Sequence, residues 1–241
     1  MEHSEKQYWY WLSKVEEAGG AARRKLFAAF GSAREIFFAK ETALLRAGIT
    51  EKAVRALLSE QYRRGVFEEF HKLRERDIYF ITKDEQAFPG RLRELEDGPD
   101  YLFYRGELPE DDVPSVAIIG ARECSSYGRG VARLFAGELA GAGIQIISGM
   151  ARGVDGQAQA AALSYGKSYA VLGCGVDICY PAENFSLYEE LSAKGGILSE
   201  YPPGTAALPF HFPMRNRIIS GLADGLVVVE ARKKSGTLIT V

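Results

Sequence analysis

Two arginines, Arg122 and Arg152, each sit just past a glycine at the end of a short apolar run. The first run reads S-V-A-I-I-G-A-R from Ser115. The second reads I-Q-I-I-S-G-M-A-R-G-V-D from Ile144. A buried parallel strand that ends in a glycine turn and opens a helix has this pattern. It puts two glycine-rich loops, Gly120 to Arg122 and Ser148 to Asp155, at the carboxyl ends of neighbouring strands, where open α/β sheets bind ligands. Helix N-termini favour anions, and the two guanidiniums add charge. The chemistry expected is recognition of a phosphate-rich ligand. Arg122 either grips a phosphate or pairs with an acid such as Glu123. Gly149 and Gly153 let the backbone approach an anion, beside Ser148 and Arg152. Asp155 repels phosphate. Its expected task is to cap the next helix or to orient Arg152 or a loop amide.

A second constellation is F-H-F-P-M-R-N-R from Phe210. Phe210 and Phe212 either stack on bases or anchor the loop in the core. Arg215 and Arg217 are two apart, so a regular helix cannot point both the same way. One is expected on phosphate and the other as a brace, with Asn216 fixing the loop. Lys167, in G-K-S, lacks the spacing of a phosphate-binding P-loop and is an added phosphate contact or a plain surface lysine. Lys233 and Lys234 are further candidates for the groove. Glu200, with Tyr201, ends another apolar run and is expected to hold the arginines in place, as is Glu230.

These groups need a scaffold. Strands are expected at 77–82, 101–104, 115–119, 144–148, 168–172, 196–199 and 225–230. Helices are expected at about 127–141, 154–165, 184–194 and 215–223. The alternation implies an α/β, Rossmann-like, mostly parallel sheet with helices on both faces. Before about Arg76 the apolar spacing is helical only, with breaks at Gly19-Gly20, Gly31-Ser32 and Gly48. Thr50 is a candidate N-cap, and Arg23, Arg24 and Lys25 read as solvated. The expected division is a small all-helical domain at 1–76 and the Rossmann-like domain at 77–241. The chain stops inside S-G-T-L-I-T-V, which reads as the start of a helix and so as a C-terminal truncation.

Composition narrows the function classes. The net charge of −2 is no general mark of a nucleic-acid binder, so any such binding must come from a local basic patch. Cys124, Cys174 and Cys179 form no C-x-x-C, and His3, His71 and His211 lie far apart, so neither a disulfide framework nor a metal site is expected. No run approaches a membrane span and no signal-peptide pattern opens the chain, which makes a soluble cytoplasmic protein the expectation.

The stretch from about Pro89 resembles the DNA-processing protein DprA/Smf family. The strings that carry the resemblance are V-A-I-I-G-A-R, S-G-M-A-R-G-V-D, A-V-L-G-C-G-V-D-I-C-Y-P-A-E-N, S-E-Y-P-P-G-T, F-P-M-R-N-R-I-I-S-G-L and V-V-V-E-A-R-K-K-S-G-T-L-I-T. The helical N-terminus resembles the family's sterile-alpha-motif-like domain. The resemblance implies a protein that binds single-stranded DNA in the cytoplasm, protects incoming DNA in natural transformation and loads the recombinase RecA. It also implies a homodimer, with no catalytic residues and no cofactor. One departure is Gln159, which stands where the family's pattern has histidine.

Two enzyme classes compete. Nucleotide phosphoribohydrolases of the related fold carry P-G-G-x-G-T-x-x-E, whereas Lys234-Ser-Gly-Thr-Leu-Ile-Thr240 has the G-T without the glutamate. A dinucleotide enzyme needs G-x-G-x-x-G after the first strand, and the sequence there is G-A-R-E-C-S.

Overall fold

The computed structural model describes residues 3–231. It divides into two compact units, Met1–Thr82 and Lys83–Val241.

The first unit contains α1 (Glu5–Lys14), α2 (Gly20–Phe30), α3 (Ala33–Phe38), α4 (Glu41–Arg46), α5 (Glu51–Leu58), α6 (Glu60–Arg63) and α7 (Val66–Lys72), then β1 (Tyr79–Thr82). Most of these helices are too short to persist alone, so packing must hold them. The aromatic cluster supplies it. Trp11 is fully buried, Trp9 stacks on Phe27 with ring centroids 4.3 Å apart, and the Arg63 guanidinium lies 4.5 Å from the Phe37 ring. Thr50 caps α5 as expected, its Oγ1 accepting from Ala53 N at 3.2 Å. Arg23 departs from expectation: it is buried, and its guanidinium donates to the Ala18 carbonyl.

The second unit opens with the single-turn α8 (Gly90–Arg93) and β2 (Tyr101–Gly106). It continues with β3 (Ser115–Gly120), α9 (Ser126–Gly141), β4 (Gln145–Ser148), α10 (Val154–Ala162), β5 (Ser168–Val171), α11 (Phe185–Lys194), β6 (Gly196–Ser199), α12 (His211–Gly221) and β7 (Gly225–Val229). Its strands lie in the order β2-β6-β5-β4-β3-β7. Only β2 runs antiparallel to its neighbour. Strands β4, β5 and β6 are buried along their whole length, as a sheet covered on both faces requires. The chain steps one way from β3 to β6, then jumps back past β3 to β7. Right-handed crossovers therefore put α9, α10 and α11 on one face and α12 on the other. Alanines make the first face tight: Ala132, Ala136 and Ala140 of α9 share a core with Ala158 and Ala162 of α10.

Every expected strand of the sheet is present. The last helix begins four residues before the expected Arg215, at His211. Pro213 occupies the first turn of this helix, where a missing N–H costs no helical hydrogen bond. Among the described residues no helix is long and apolar enough to cross a membrane. Lys233, Lys234 and the S-G-T-L-I-T stretch lie outside the described residues.

Candidate nucleic-acid interface

The loops after β3 and β4 do meet at the carboxyl edge of the sheet, and they meet by packing. Gly153 has φ +75°, and a methyl group there would lie 2.3 Å from the Ala121 carbonyl oxygen. Gly120 is equally confined, with the Val229 carbonyl oxygen 1.9 Å from where a methyl would sit. These glycines let one loop lie on the other. Their expected use as an anion cradle is corrected accordingly.

A buried carboxylate takes the amides that a phosphate would need. Asp155, in the first turn of α10, accepts from Gly149 N at 3.2 Å and from the Gly120 amide. Ser148 is fully buried, and its hydroxyl donates to the Ile118 carbonyl at 2.6 Å. Ser148 and Gly149 are thus structural rather than exposed to a ligand. Met150 adopts φ +53° between two clamps: Gln159 Oε1 accepts its N–H at 2.9 Å, and Asn184 Nδ2 donates to its carbonyl at 3.0 Å. Gln159, the departure from the family pattern, does structural work here.

Arg215 belongs to the same interior. It is only 5% exposed. Its Nη1 donates to the Gly149 carbonyl at 3.0 Å and to the Val171 carbonyl, and its Nε donates to Asn216 Oδ1 at 3.3 Å. Burial pulls the guanidinium down to about 10, against the opposing pull of Asp155, and it stays charged at neutral pH. Burial likewise raises the Asp155 carboxyl, with Arg215 opposing. Arg215 is corrected from phosphate contact to internal brace, because a buried charge that left its partner would strand it. Asn216, expected to fix a loop, lies within α12, where its side chain accepts from Arg215. Asp155 orients amides and Arg215 rather than Arg152.

A surface carboxylate of this chain fills the N-terminus of α9. Glu230 Oε2 accepts from Ser125 N at 2.8 Å, and its Oε1 accepts from Ser125 Oγ. Those bonds hold the Glu230 carboxyl below its ordinary range. A methyl on Gly128 would lie 2.6 Å from the Glu230 carboxyl carbon, so that glycine keeps the seat open. Glu230 caps a helix, where the sequence reading had it bracing an arginine.

What remains outside is a ledge of rings and a guanidinium. Arg122 is exposed and has no ion-pair partner among the described residues. Its guanidinium carbon lies 5.5 Å from the centre of the half-buried Phe212 ring, close enough for a cation–π contact. Tyr180, 46% exposed, lies with its ring centre 5.5 Å from that of Phe212 at a tilt of 34°. Gly173 makes room for the ring, since a methyl there would come within 3.0 Å of Phe212. Beside them Tyr201 stacks on His211 at 4.0 Å, and Phe210 is exposed. Of the two phenylalanines, Phe212 presents a supported face and Phe210 is not a core anchor.

The other basic candidates are committed elsewhere. Arg152 is exposed and forms an ion pair with Glu183, its Nη2 donating to Oε2 at 2.9 Å. That hydrogen bond raises the arginine and lowers the glutamate. Arg217 is held by Glu200 at 2.7 Å and faces Asp97 at 3.8 Å, which gives Glu200 its expected bracing role and removes Arg217 as a free phosphate ligand. Lys167 pairs with Glu107 at 2.7 Å. It precedes β5, so it lies at the amino edge, away from the glycine loops. Tyr180, Glu183 and Asn184 were missed as site residues. They stood in the sequence inside C-Y-P-A-E-N, which reads as a turn.

The fold and its edge define a Rossmann-like α/β domain whose nucleotide-type anion seats are filled from within and whose ring-and-arginine ledge faces out. A model of the DNA recombination-mediator protein A family matches residues 79–241, and the chain belongs to that family. Protein Smf of Synechocystis sp. is 34% identical over 246 residues, covering 100% of this chain and 62% of the relative. The DNA processing protein DprA of Streptococcus pneumoniae is 44% identical over 161 residues, covering 65% of this chain and 55% of the relative. The chain thus spans less than two thirds of either. The X-ray structure of the pneumococcal DprA aligns with a TM-score of 0.75 at 30% identity, covering 100% of this chain and 82% of that one. DprA of Helicobacter pylori, whose structure is described as showing a single-stranded DNA binding mode, aligns with a TM-score of 0.62 at 32% identity. It covers 68% of this chain and 74% of that one.

Proposed function

We propose that this chain binds single-stranded DNA along the carboxyl edge of its sheet, bases on Phe212 and Tyr180 and backbone on Arg122. The observation that carries this is the exposed Arg122 guanidinium beside the supported Phe212 ring. Sequence-tolerant binding of single strands uses this pairing: flat rings for any base, a fixed cation for the phosphate. The Helicobacter pylori relative supports the choice of ligand. On the family likeness, the wider role is that of a recombination mediator which protects incoming DNA and loads RecA in natural transformation, acting in the cytoplasm as a homodimer.

A binding role without catalysis is favoured over the phosphoribohydrolase alternative by Glu230 and Asp155. These carboxylates sit at the N-termini of α9 and α10, where a nucleotide phosphate would otherwise go. The test is fluorescence anisotropy of a labelled oligo-dT, run beside a base-release assay on nucleoside monophosphates. Salt-sensitive oligo-dT binding with no base release is the expected result. Base release without DNA binding would overturn the reading.

A further inference from the structure

Two of the three cysteines meet in the loop after β5. Cys174 is buried, Cys179 is half-buried, and both are free. Between them the chain turns back: Ile178 N donates to the Gly175 carbonyl at 3.0 Å, which closes a turn at 175–178. Cys174 and Cys179 stand on either side of it. Residues facing each other across such a reversal lie about 4.5–5.5 Å apart at Cα, inside the span of about 4.4–6.8 Å that a disulfide bridges. Both thiols point to the same arm of the loop. Cys174 Sγ donates to the Ile178 carbonyl at 3.4 Å, one peptide group from Cys179. Cys179 Sγ donates to the Pro181 carbonyl at 3.4 Å.

Each thiol also adjoins a part of the ledge. Gly173, just before Cys174, makes room for the Phe212 ring, and Tyr180 follows Cys179. The tip of the turn is pinned. Gly175 N donates to the Thr205 carbonyl at 2.9 Å, Gly204 N to Asp177 Oδ1 at 2.9 Å and the Tyr188 hydroxyl to the Val176 carbonyl at 2.7 Å. The arm before the turn follows β5, and His211 Nδ1 donates to its Gly173 carbonyl at 3.1 Å. A covalent link between the thiols therefore moves the remaining arm, the one that carries Tyr180.

We propose that Cys174 and Cys179 are an oxidisable pair, closed by small-molecule disulfides, and that closure draws Tyr180 away from Phe212 and weakens the DNA ledge. The Cys179 thiolate, the more exposed of the two, attacks one sulfur of the small disulfide. That S–S bond breaks, and one small thiolate leaves and takes up the proton that Cys179 released. The Cys174 thiolate then attacks the Cys179 sulfur of the mixed disulfide. The internal S–S bond forms, and the second small thiolate leaves with the proton from Cys174. Two protein thiols are oxidised and one disulfide is reduced to two thiols. Burial raises both cysteines, Cys174 to about 11, so thiolate is scarce and closure is slow at neutral pH. The effect on DNA rests on the proposed function; the pairing does not.

The test incubates the whole chain with oxidised glutathione at mildly alkaline pH and counts thiols by maleimide labelling in denaturant. The expected result is one free thiol, Cys124, with no glutathione retained in the mass, and recovery of all three on adding dithiothreitol. Oligo-dT affinity of the oxidised chain is expected to fall about fivefold, and that of Cys179→Ser treated alike to change less than about twofold. Circular dichroism melts confirm that each sample is folded. Three free thiols, or glutathione held on Cys179 beside a free Cys174, would overturn the pairing. A disulfide that leaves oligo-dT affinity unchanged would overturn its coupling to the ledge. A reduced chain that binds no oligo-dT would overturn the proposed function and with it that coupling, while the thiol count still decides the pairing.

Discussion

The Asp155 carboxylate and the Arg215 guanidinium meet across Gly149, where a methyl group would lie 2.8 Å from Asp155 Oδ2 and 2.7 Å from Arg215 Nη2. Three elements converge there: the loop after β4, the first turn of α10 and the interior of α12. The pair therefore joins the two faces of the sheet at its carboxyl edge and sets the floor under the ledge. Arg215→Ala should lower stability by about 3–5 kcal/mol, the usual result of stranding a buried carboxylate. Urea unfolding checks this; a loss below about 1 kcal/mol, as at a surface pair, would show that Asp155 does not depend on Arg215.

Gly149→Ala tests the same junction by volume. No side chain fits between the two charges, so the methyl should cost about 1–3 kcal/mol as an overpacked core does. A thermal melt unchanged from wild type would mean that the pair is looser than described.

The Glu230 cap predicts an acid-side dependence. Its folded carboxyl is held below the ordinary 4.5 by Ser125. The unfolded chain thus takes up a proton first, and the stabilisation is fully present above the ordinary value. It is lost as pH falls through the lowered value. Glu230→Gln should flatten that part of the stability profile below neutral pH. A profile that falls as steeply without the carboxylate would remove Glu230 as its source.

Glu183 holds Arg152, so on the proposed function it would compete with DNA for that guanidinium. An exposed ion pair of this kind is weak and screened, so Glu183→Gln should tighten oligo-dT binding only about two- to fivefold at low salt. The gain should vanish when Arg152→Ala is added. A gain that survives the second change would have another origin.

Lys167 supplies a negative control. At the amino edge, paired with Glu107, it should be replaceable by alanine with no change in oligo-dT affinity. A marked loss would place DNA on the opposite edge from the ledge.

Much of this architecture was legible in the chain. Short apolar runs located the strands of the sheet, β3 and β4 most plainly by the glycine turn that follows each, because a doubly covered parallel strand is apolar along its length. The family followed from strings spread along the same edge. What the sequence hid were partnerships across distance. Arg215 reads like any arginine near a helix start until Asp155, far away in the chain, comes to face it. Arg23 reads as solvated until the Ala18 carbonyl turns toward it. Gly120 and Gly153 have the letters of an anion cradle, yet their free space is used by neighbouring carbonyls. Tyr180 sat in a turn, and only folding brings its ring beside Phe212.

The central claim is that Arg122 and Phe212 work together as cation and stacking face on one strand of DNA. Oligo-dT affinity measured across a salt series for wild type, Arg122→Ala and Phe212→Ala separates the two roles. Losing one phosphate contact should weaken binding and reduce the slope of log affinity on log salt by about 0.7. Losing a stacking face should cost about 1–3 kcal/mol and leave the slope unchanged. Both variants binding like wild type, slope included, would contradict the account and move the DNA away from this ledge.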